Sequence, residues 1–487
     1  MRGWIVALGL VLSALLVASA AQAKELAAVV PTGSCEALAN RVLAVGTVPA
    51  RITAAKVTTP TNGAAYCQVF GYLPPAVRFE IHLPTTGWTQ RMIVAGCGGF
   101  CGTLGIRTPA AAGCAPLERG EFVSASSDLG HNVTDGAWAS GNPQGLTDYG
   151  HRALHLTTLA TKAVAKAYYG QAPRYSYFSG CSDGGREGMM EAQRYPDDFD
   201  GIVAGASVID VTANNSIYHA WLVQHLVDRD GKQLLPDATL AALAAEVMRQ
   251  CDDKDGVKDN ILAAPEACEF APDKLLCQGT PAPTCLAPGQ LALVRAIYTG
   301  PVDGAGNPLY QGAPLGSEKS WNQMGGLART LVTSFTSYMT GEPFNGEKNP
   351  FDLKFDAASR AIYNRFAPQI SAMDANLASF ARHGKLLMWH GWTDAGVPAG
   401  SSIRYYREVR ARLGAKAADA FLRLYMLPAV NHCGGGDGPD QVDLLTPLMA
   451  WVEDGVAPGA IPAHKNGAKP LKWTIQPYGA GMSKPVS

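Results

Sequence analysis

Apolar and polar residues alternate along this chain in two periods. Short apolar runs that break into glycine or polar clusters recur at RMIVAGCGGFCG (91–102), RYSYFS (174–179), KLLMWHGWTD (385–394) and FLRLYMLPAVNHC (421–433). Each reads as a buried strand running into a polar loop. Helical patterns alternate with them: RALHLTTLATKAVAKAYYG, amphipathic and stopped by Gly170; REGMMEAQRY, stopped by Pro196; and LLTPLMAWVEDGV. Strands alternating with helices predict an α/β fold with a mostly parallel sheet, in which ligands collect at the carboxyl ends of the strands. The polar loops named above all fall at such ends.

Between 207 and 382 the pattern changes to an Ala-rich helix (TLAALAAEVMRQ), four closely spaced cysteines, the Pro-rich TPAPTCLAPG and irregular aromatic sequence. This predicts an insertion folded over the sheet, flanked by a first core segment at 24–206 and a second at 383–487. Residues 1–23 combine Arg2, one apolar run and a small-residue ending at Ala21-Gln22-Ala23, the layout of a secretory signal peptide. The run is shorter than the ~20 residues a spanning helix needs. Export to the periplasm or beyond is therefore expected, with no membrane partner.

With 47% hydrophobic and 17% charged residues, the chain can bury a large core. A net charge of -1, without runs of like charge, argues against a nucleic-acid binder. Eleven cysteines in an exported chain predict a disulfide framework with at least one thiol left over. None is followed by histidines at zinc-finger spacing.

The chemistry centres on GCSDGG, Gly180 to Gly185, where a serine on a strand-turn-helix matches G-x-S-x-G. A serine hydroxyl needs a histidine to take its proton and a carboxylate to orient the imidazole. In the order serine, acid, histidine the candidates are Ser182, Asp394 in HGWTDAGV and His432 in PAVNHCGGG. An oxyanion hole would draw on the backbone N–H of Asp183 and on that of Gly98 in the glycine-rich loop GCGGFCG. Cys181 could itself attack, but Cys433 directly follows His432, so the meeting of Ser182 with His432 brings two cysteines together. In an oxidising compartment Cys181 and Cys433 are expected to bond, leaving serine as the nucleophile. A second candidate site, CDDKDGVKDNIL (251–262), clusters carboxylates around a glycine as calcium prefers, without EF-hand spacing. On its own this reading stands level with a solvated acidic turn.

These residues together resemble the tannase and feruloyl esterase family, which includes the hydrolases of mono(2-hydroxyethyl) terephthalate. The resemblance is most specific in YFSGCSDGGREGMMEAQRYPDDFDGIVAGA, KLLMWHGWTDAGV and NHCGGG followed by WVEDGVAP, and its CS, D, HC hallmark falls on Cys181-Ser182, Asp394 and His432-Cys433. It implies an α/β-hydrolase core with a large inserted lid domain. It also implies a structural calcium on the side chains of Asp252, Asp255 and Asp259 and the carbonyls of Val257 and Ile261. The implied pairings are Cys35 with Cys67, Cys251 with Cys268, and Cys277 with Cys285. Asp183 departs from the Thr or Glu that relatives often carry after the serine. Cys97, Cys101 and Cys114 are extra, and any one pair among them leaves a free thiol.

The expected activity is hydrolysis of esters of aromatic acids of hydroxycinnamic or gallic type, with no organic cofactor. The nearest alternative is hydrolysis of mono(2-hydroxyethyl) terephthalate, which would call for a lid cation such as Arg329 to meet the free carboxylate. A non-catalytic phenolic or carbohydrate binding protein is the rival from another class. Trp321, Phe335 and Tyr338 are candidates for an aromatic acyl pocket, with lid-core packing the competing role for each.

Overall fold

A computed structural model of the protein describes residues 24–61, 63–340, 343–467 and 470–486. The expected signal peptide lies outside the described residues. Ten strands build the main sheet: β1 (Val42–Val45), β2 (Val48–Thr58), β3 (Tyr66–Leu73), β4 (Val77–Pro84), β5 (Arg91–Ala95), β6 (Phe122–Ser127), β7 (Tyr175–Cys181), β8 (Gly201–Gly205), β9 (Lys385–Gly391) and β10 (Leu422–Leu427). Among the described residues their order is β1-β2-β3-β4-β6-β5-β7-β8-β9-β10. The run from β6 to β10 is parallel, as the alternation with helices predicts. β1 to β4 add an antiparallel extension that joins at β6, which the pattern of buried strand runs did not bring out. Burial explains the division: β5 and β8 are buried at every position, whereas β3 alternates between buried and half-buried residues.

Consecutive residues of the parallel strands pack into different cores. Phe178, Ile202, Met388 and Leu424 belong to one, with the helices Ala153–Tyr169, Asp183–Arg194 and Gly400–Leu413 over them. Tyr177, Val203, Leu387 and Tyr425 belong to the other, beneath the helix Leu445–Asp454. Trp473 and Ile475, from a small antiparallel sheet near the C-terminus, complete that second core. The period-two alternation of a strand thus sets both layers at once.

The stretch between β8 and β9 contributes no strand to the main sheet among the described residues. Its helices His219–Leu226, Asp237–Cys251, Pro288–Thr299 and Trp321–Tyr338 close around a core of their own that includes Leu226, Leu243, Val294 and Trp321. Ala395, the neighbour of Asp394, joins this core, and the Tyr218 hydroxyl donates to its carbonyl at 2.7 Å. The insertion is therefore seated on the loop that follows β9.

Candidate active site

β7 ends at Cys181 and the next helix begins at Asp183, which leaves Ser182 alone on the turn, at φ 65° and ψ −120°. A residue with a Cβ adopts such a conformation only where its surroundings fix it. Here its N–H donates to Gly205 O at 2.9 Å, and its carbonyl accepts from the N–H groups of Arg186 (3.1 Å) and Val208 (3.2 Å). Two glycines let the chain turn this tightly. A Cβ on Gly180 would stand 2.5 Å from the carbonyl of Gly184, and one on Gly184 2.8 Å from Cys97 O.

The loop after β10 brings His432 Nε2 to 2.8 Å from Ser182 Oγ, and His432 Nδ1 to 2.6 Å from Asp394 Oδ2. Asp394 is fully buried. Its Oδ1 accepts the N–H groups of Gly396 and Val397, both at 2.9 Å. Its Oδ2 accepts a second imidazole, His390 Nε2, at 3.1 Å. Since His390 Nε2 also faces Val397 O at 2.8 Å, both neighbours are acceptors and that nitrogen carries the proton. Burial alone would raise the Asp394 carboxyl, but the charge and hydrogen bond of His432 and the hydrogen bond of His390 hold it well below the usual carboxylate range. Burial disfavours the His432 imidazolium, and the Asp394 charge and hydrogen bond more than offset this, so His432 titrates above its ordinary value. With Nδ1–H given to Asp394, the Nε2 lone pair faces the Ser182 hydroxyl, positioned to take its proton.

Asp183 and Gly98, named from the sequence as oxyanion donors, lie on the helix start and on the loop after β5. Among the described residues neither N–H has a protein acceptor. The Asp183 side chain turns away from the site. Its carboxylate accepts Arg186 Nε at 2.7 Å, Arg186 Nη2 at 2.9 Å and the Tyr149 hydroxyl at 2.7 Å, all buried. The guanidinium thus balances the buried Asp183 charge.

Cys181 and Cys433 are bonded across a separation of 252 residues. Cys35–Cys67, Cys251–Cys268 and Cys277–Cys285 are bonded as the resemblance implied. A fifth bond, Cys97–Cys101, settles the open choice among the extra cysteines and leaves Cys114 as a buried thiol, which burial pushes up to about 11.

The acidic loop follows the helix that ends at Cys251. Asp255 accepts the N–H groups of Val257 and Ala263, both at 2.9 Å, and Asp259 accepts that of Ile261 at 3.1 Å. Asp252 Oδ1 is buried without a hydrogen-bond partner. Among the described residues the carbonyls of Val257 and Ile261 accept no protein donor. Burial and the charges of Asp255 and Asp252 raise the Asp259 carboxyl. Unsatisfied oxygens and crowded negative charge fit a hard cation.

Of the three aromatic residues named for an acyl pocket, Trp321 lies in the core of the insertion with its indole N–H on Ser317 Oγ at 2.9 Å. Phe335 is buried in the main core, and Tyr338 stacks on Phe344. Arg329 is exposed. His390 carries only one signal in the sequence, a polar side chain at the end of an apolar strand, four positions before Asp394. Arg186 carries no such signal, nor does the knot of half-buried His155 with buried Glu191 and Asp198 near the far end of the helix Asp183–Arg194.

The chain is similar to known proteins over most of its length. The family model described as "Tannase and feruloyl esterase" matches residues 61–476. The mono(2-hydroxyethyl) terephthalate hydrolase of Piscinibacter sakaiensis is 33% identical over 460 residues, covering 81% of this chain and 75% of that protein. A probable feruloyl esterase B-2 of Aspergillus flavus is 30% identical over 422 residues, covering 80% of this chain and 77% of that protein. The crystal structure of feruloyl esterase B from Aspergillus oryzae superposes with a TM-score of 0.81 at 25% identity, covering 93% of this chain and all of that one. With the family model spanning most of its length, this α/β chain belongs to the tannase and feruloyl esterase family of carboxylic ester hydrolases.

Proposed function

We propose that this esterase cleaves esters of aromatic acids of hydroxycinnamic or gallic type through an acyl-enzyme on Ser182. The observation that carries the reading is the continuous relay from Ser182 Oγ to His432 Nε2 at 2.8 Å and from His432 Nδ1 to Asp394 at 2.6 Å. Ser182 attacks the ester carbonyl while His432 accepts the hydroxyl proton. The negative charge that develops on the carbonyl oxygen meets the N–H groups of Asp183 and Gly98. His432 then hands its proton to the departing alcohol, and a water molecule activated by the same imidazole releases the acid. Asp394 keeps the imidazole in the required tautomer throughout.

Rates on methyl ferulate, methyl gallate and mono(2-hydroxyethyl) terephthalate test the acyl preference. Turnover of the two methyl esters well above the terephthalate monoester is expected, and the reverse order would overturn the proposal. Arg329, the cation considered for the monoester's free carboxylate, is exposed on the helix Trp321–Tyr338. Loss of hydrolysis in Ser182→Ala is expected, and retention of the parent rate would refute the serine assignment.

A structural calcium is proposed on Asp252, Asp255 and Asp259 with the carbonyls of Val257 and Ile261. When bound, it supplies positive charge that cross-links the loop after Cys251. Chelation is expected to lower the melting temperature and calcium to restore it. Export is proposed as well, supported by the signal-like residues 1–23 and by five disulfides among the described residues.

A further inference from the structure

The loop after β5 that carries Gly98 is fastened on every side. Cys97 N–H donates to the buried Glu187 Oε1 at 2.9 Å, and Cys97 O accepts Gly184 N–H at 2.7 Å. Both partners lie on the helix that starts beside Ser182. Gly98 O accepts Cys101 N–H at 3.0 Å, and His131 Nε2 donates to Phe100 O at 2.6 Å. The His131 ring is itself held by stacking on Trp138 at 4.2 Å between centroids. Across this turn runs the Cys97–Cys101 disulfide, only four positions apart in sequence. Cys101 is buried, sits at φ 63°, and places its Sγ 3.4 Å from Asp183 Oδ2.

A ring this short removes little conformational freedom from the unfolded chain. Its effect is therefore local, and what it encloses is Gly98, Gly99 and Phe100. The Cys101 sulfur at one end of the ring touches the side chain of Asp183, the residue that bears the other unpartnered N–H. We propose that the Cys97–Cys101 bond is the positioning device of the oxyanion hole, holding the Gly98 N–H in fixed relation to that of Asp183. Cys97 and Cys101 touch no reacting atom and act through Gly98. The inference rests on the assignment of these two N–H groups to the oxyanion. Hydrogen-bond donors accelerate the reaction only if they are in place before charge develops, since reorganising them during the reaction costs rate. Glycines at 98 and 99, where a Cβ would meet nothing within 4 Å, leave the loop soft. The disulfide and the Glu187, Gly184 and His131 contacts supply the missing stiffness.

The test is Cys97→Ala with Cys101→Ala in the full chain, measured on an aryl ester and on its thionoester analogue. Sulfur accepts hydrogen bonds weakly, so the rate advantage of the oxygen ester reports the oxyanion contacts. We expect kcat to fall about 10- to 100-fold with KM within threefold, less than the loss of a whole donor would cause. The advantage of the oxygen ester should shrink, and the melting temperature should move little. His131→Phe, which removes the hydrogen bond to Phe100 O but keeps an aromatic ring against Trp138, should show the same signature at smaller size. Unchanged kcat, or an equal loss on both esters, overturns the proposal. If the double variant does not fold, the His131→Phe comparison decides by the same criteria. Ser182→Ala, assayed alongside, separates the failures. An active Ser182→Ala would sink the serine reading itself, whereas an inactive one beside an unimpaired disulfide variant sinks only the positioning role.

Discussion

Replacing Asp394 by Asn keeps the size of the side chain and changes one atom, and the surrounding bonds dictate the result. Oδ1 accepts two backbone N–H groups, from Gly396 and Val397, so the amide oxygen of Asn must take that place. The NH2 group then occupies the position of Oδ2 and faces two ring nitrogens, His432 Nδ1 and His390 Nε2. His390 can keep its proton by donating to Val397 O. His432 has no such second acceptor at Nδ1 among the described residues, so it must present a lone pair there and move its proton to Nε2. That tautomer points a hydrogen at Ser182 and cannot accept one. The expected loss in kcat at neutral pH is on the order of 10⁴-fold, or about 5 kcal/mol of transition-state stabilisation. The assay is steady-state hydrolysis of an aryl ester from pH 5 to 10, with circular dichroism to confirm the fold. An Asp394→Asn enzyme within tenfold of the parent rate would refute the tautomer argument.

Further outcomes follow from the same contacts. His432 must be neutral to accept the Ser182 proton, and its titration is raised, so kcat/KM should rise with pH through a value above the ordinary ~6.5 of histidine. An acid limb below that value contradicts the assignment. The same shift contributes stability that is complete below about 6.5 and lost as pH rises through the folded value, so stability and activity run in opposite directions there. His390→Leu removes a competitor for the Asp394 charge and should move the acid limb of the pH profile upward. An unshifted or lowered limb would show that His390 does not act through Asp394. Cys181→Ala with Cys433→Ala opens a loop of 252 residues, which chain entropy values at about 5.5 kcal/mol. At a temperature where this variant is folded, kcat should still fall more than tenfold, and an unchanged kcat would refute a role in holding Ser182 against His432.

The parts of the site that could be read from sequence are those with local signatures. Ser182 lies on a strand-turn-helix, Asp394 and His432 each follow an apolar strand, and Cys433 beside His432 implies its bond to Cys181. His390 has no such signature. It sits in β9 as one more buried side chain, and its role appears only when the loop after the strand folds back and places Asp394 and Val397 over it. The Cys97–Cys101 bond could not be chosen by counting, because three cysteines allow three pairings and only the turn geometry after β5 selects one. The antiparallel strands β3 and β4 alternate in burial and β2 has no buried residue beyond Ile52, a weaker signal than the continuous apolar runs of β5 and β8. The packing of Trp321 within the insertion likewise depends on contacts between helices far apart in sequence, which periodicity does not specify.

The Cys181–Cys433 bond also has a topological meaning. It turns everything from the nucleophile to the base, the whole insertion included, into a covalent macrocycle with the termini as two tails. A single backbone cut within that circle would linearise the protein without dividing it. A protease that nicked the insertion would leave Ser182 and His432 tethered through their immediate neighbours, so the enzyme would migrate as one species until reduced and as two afterwards. The circle thereby makes the loss of one peptide bond within it survivable.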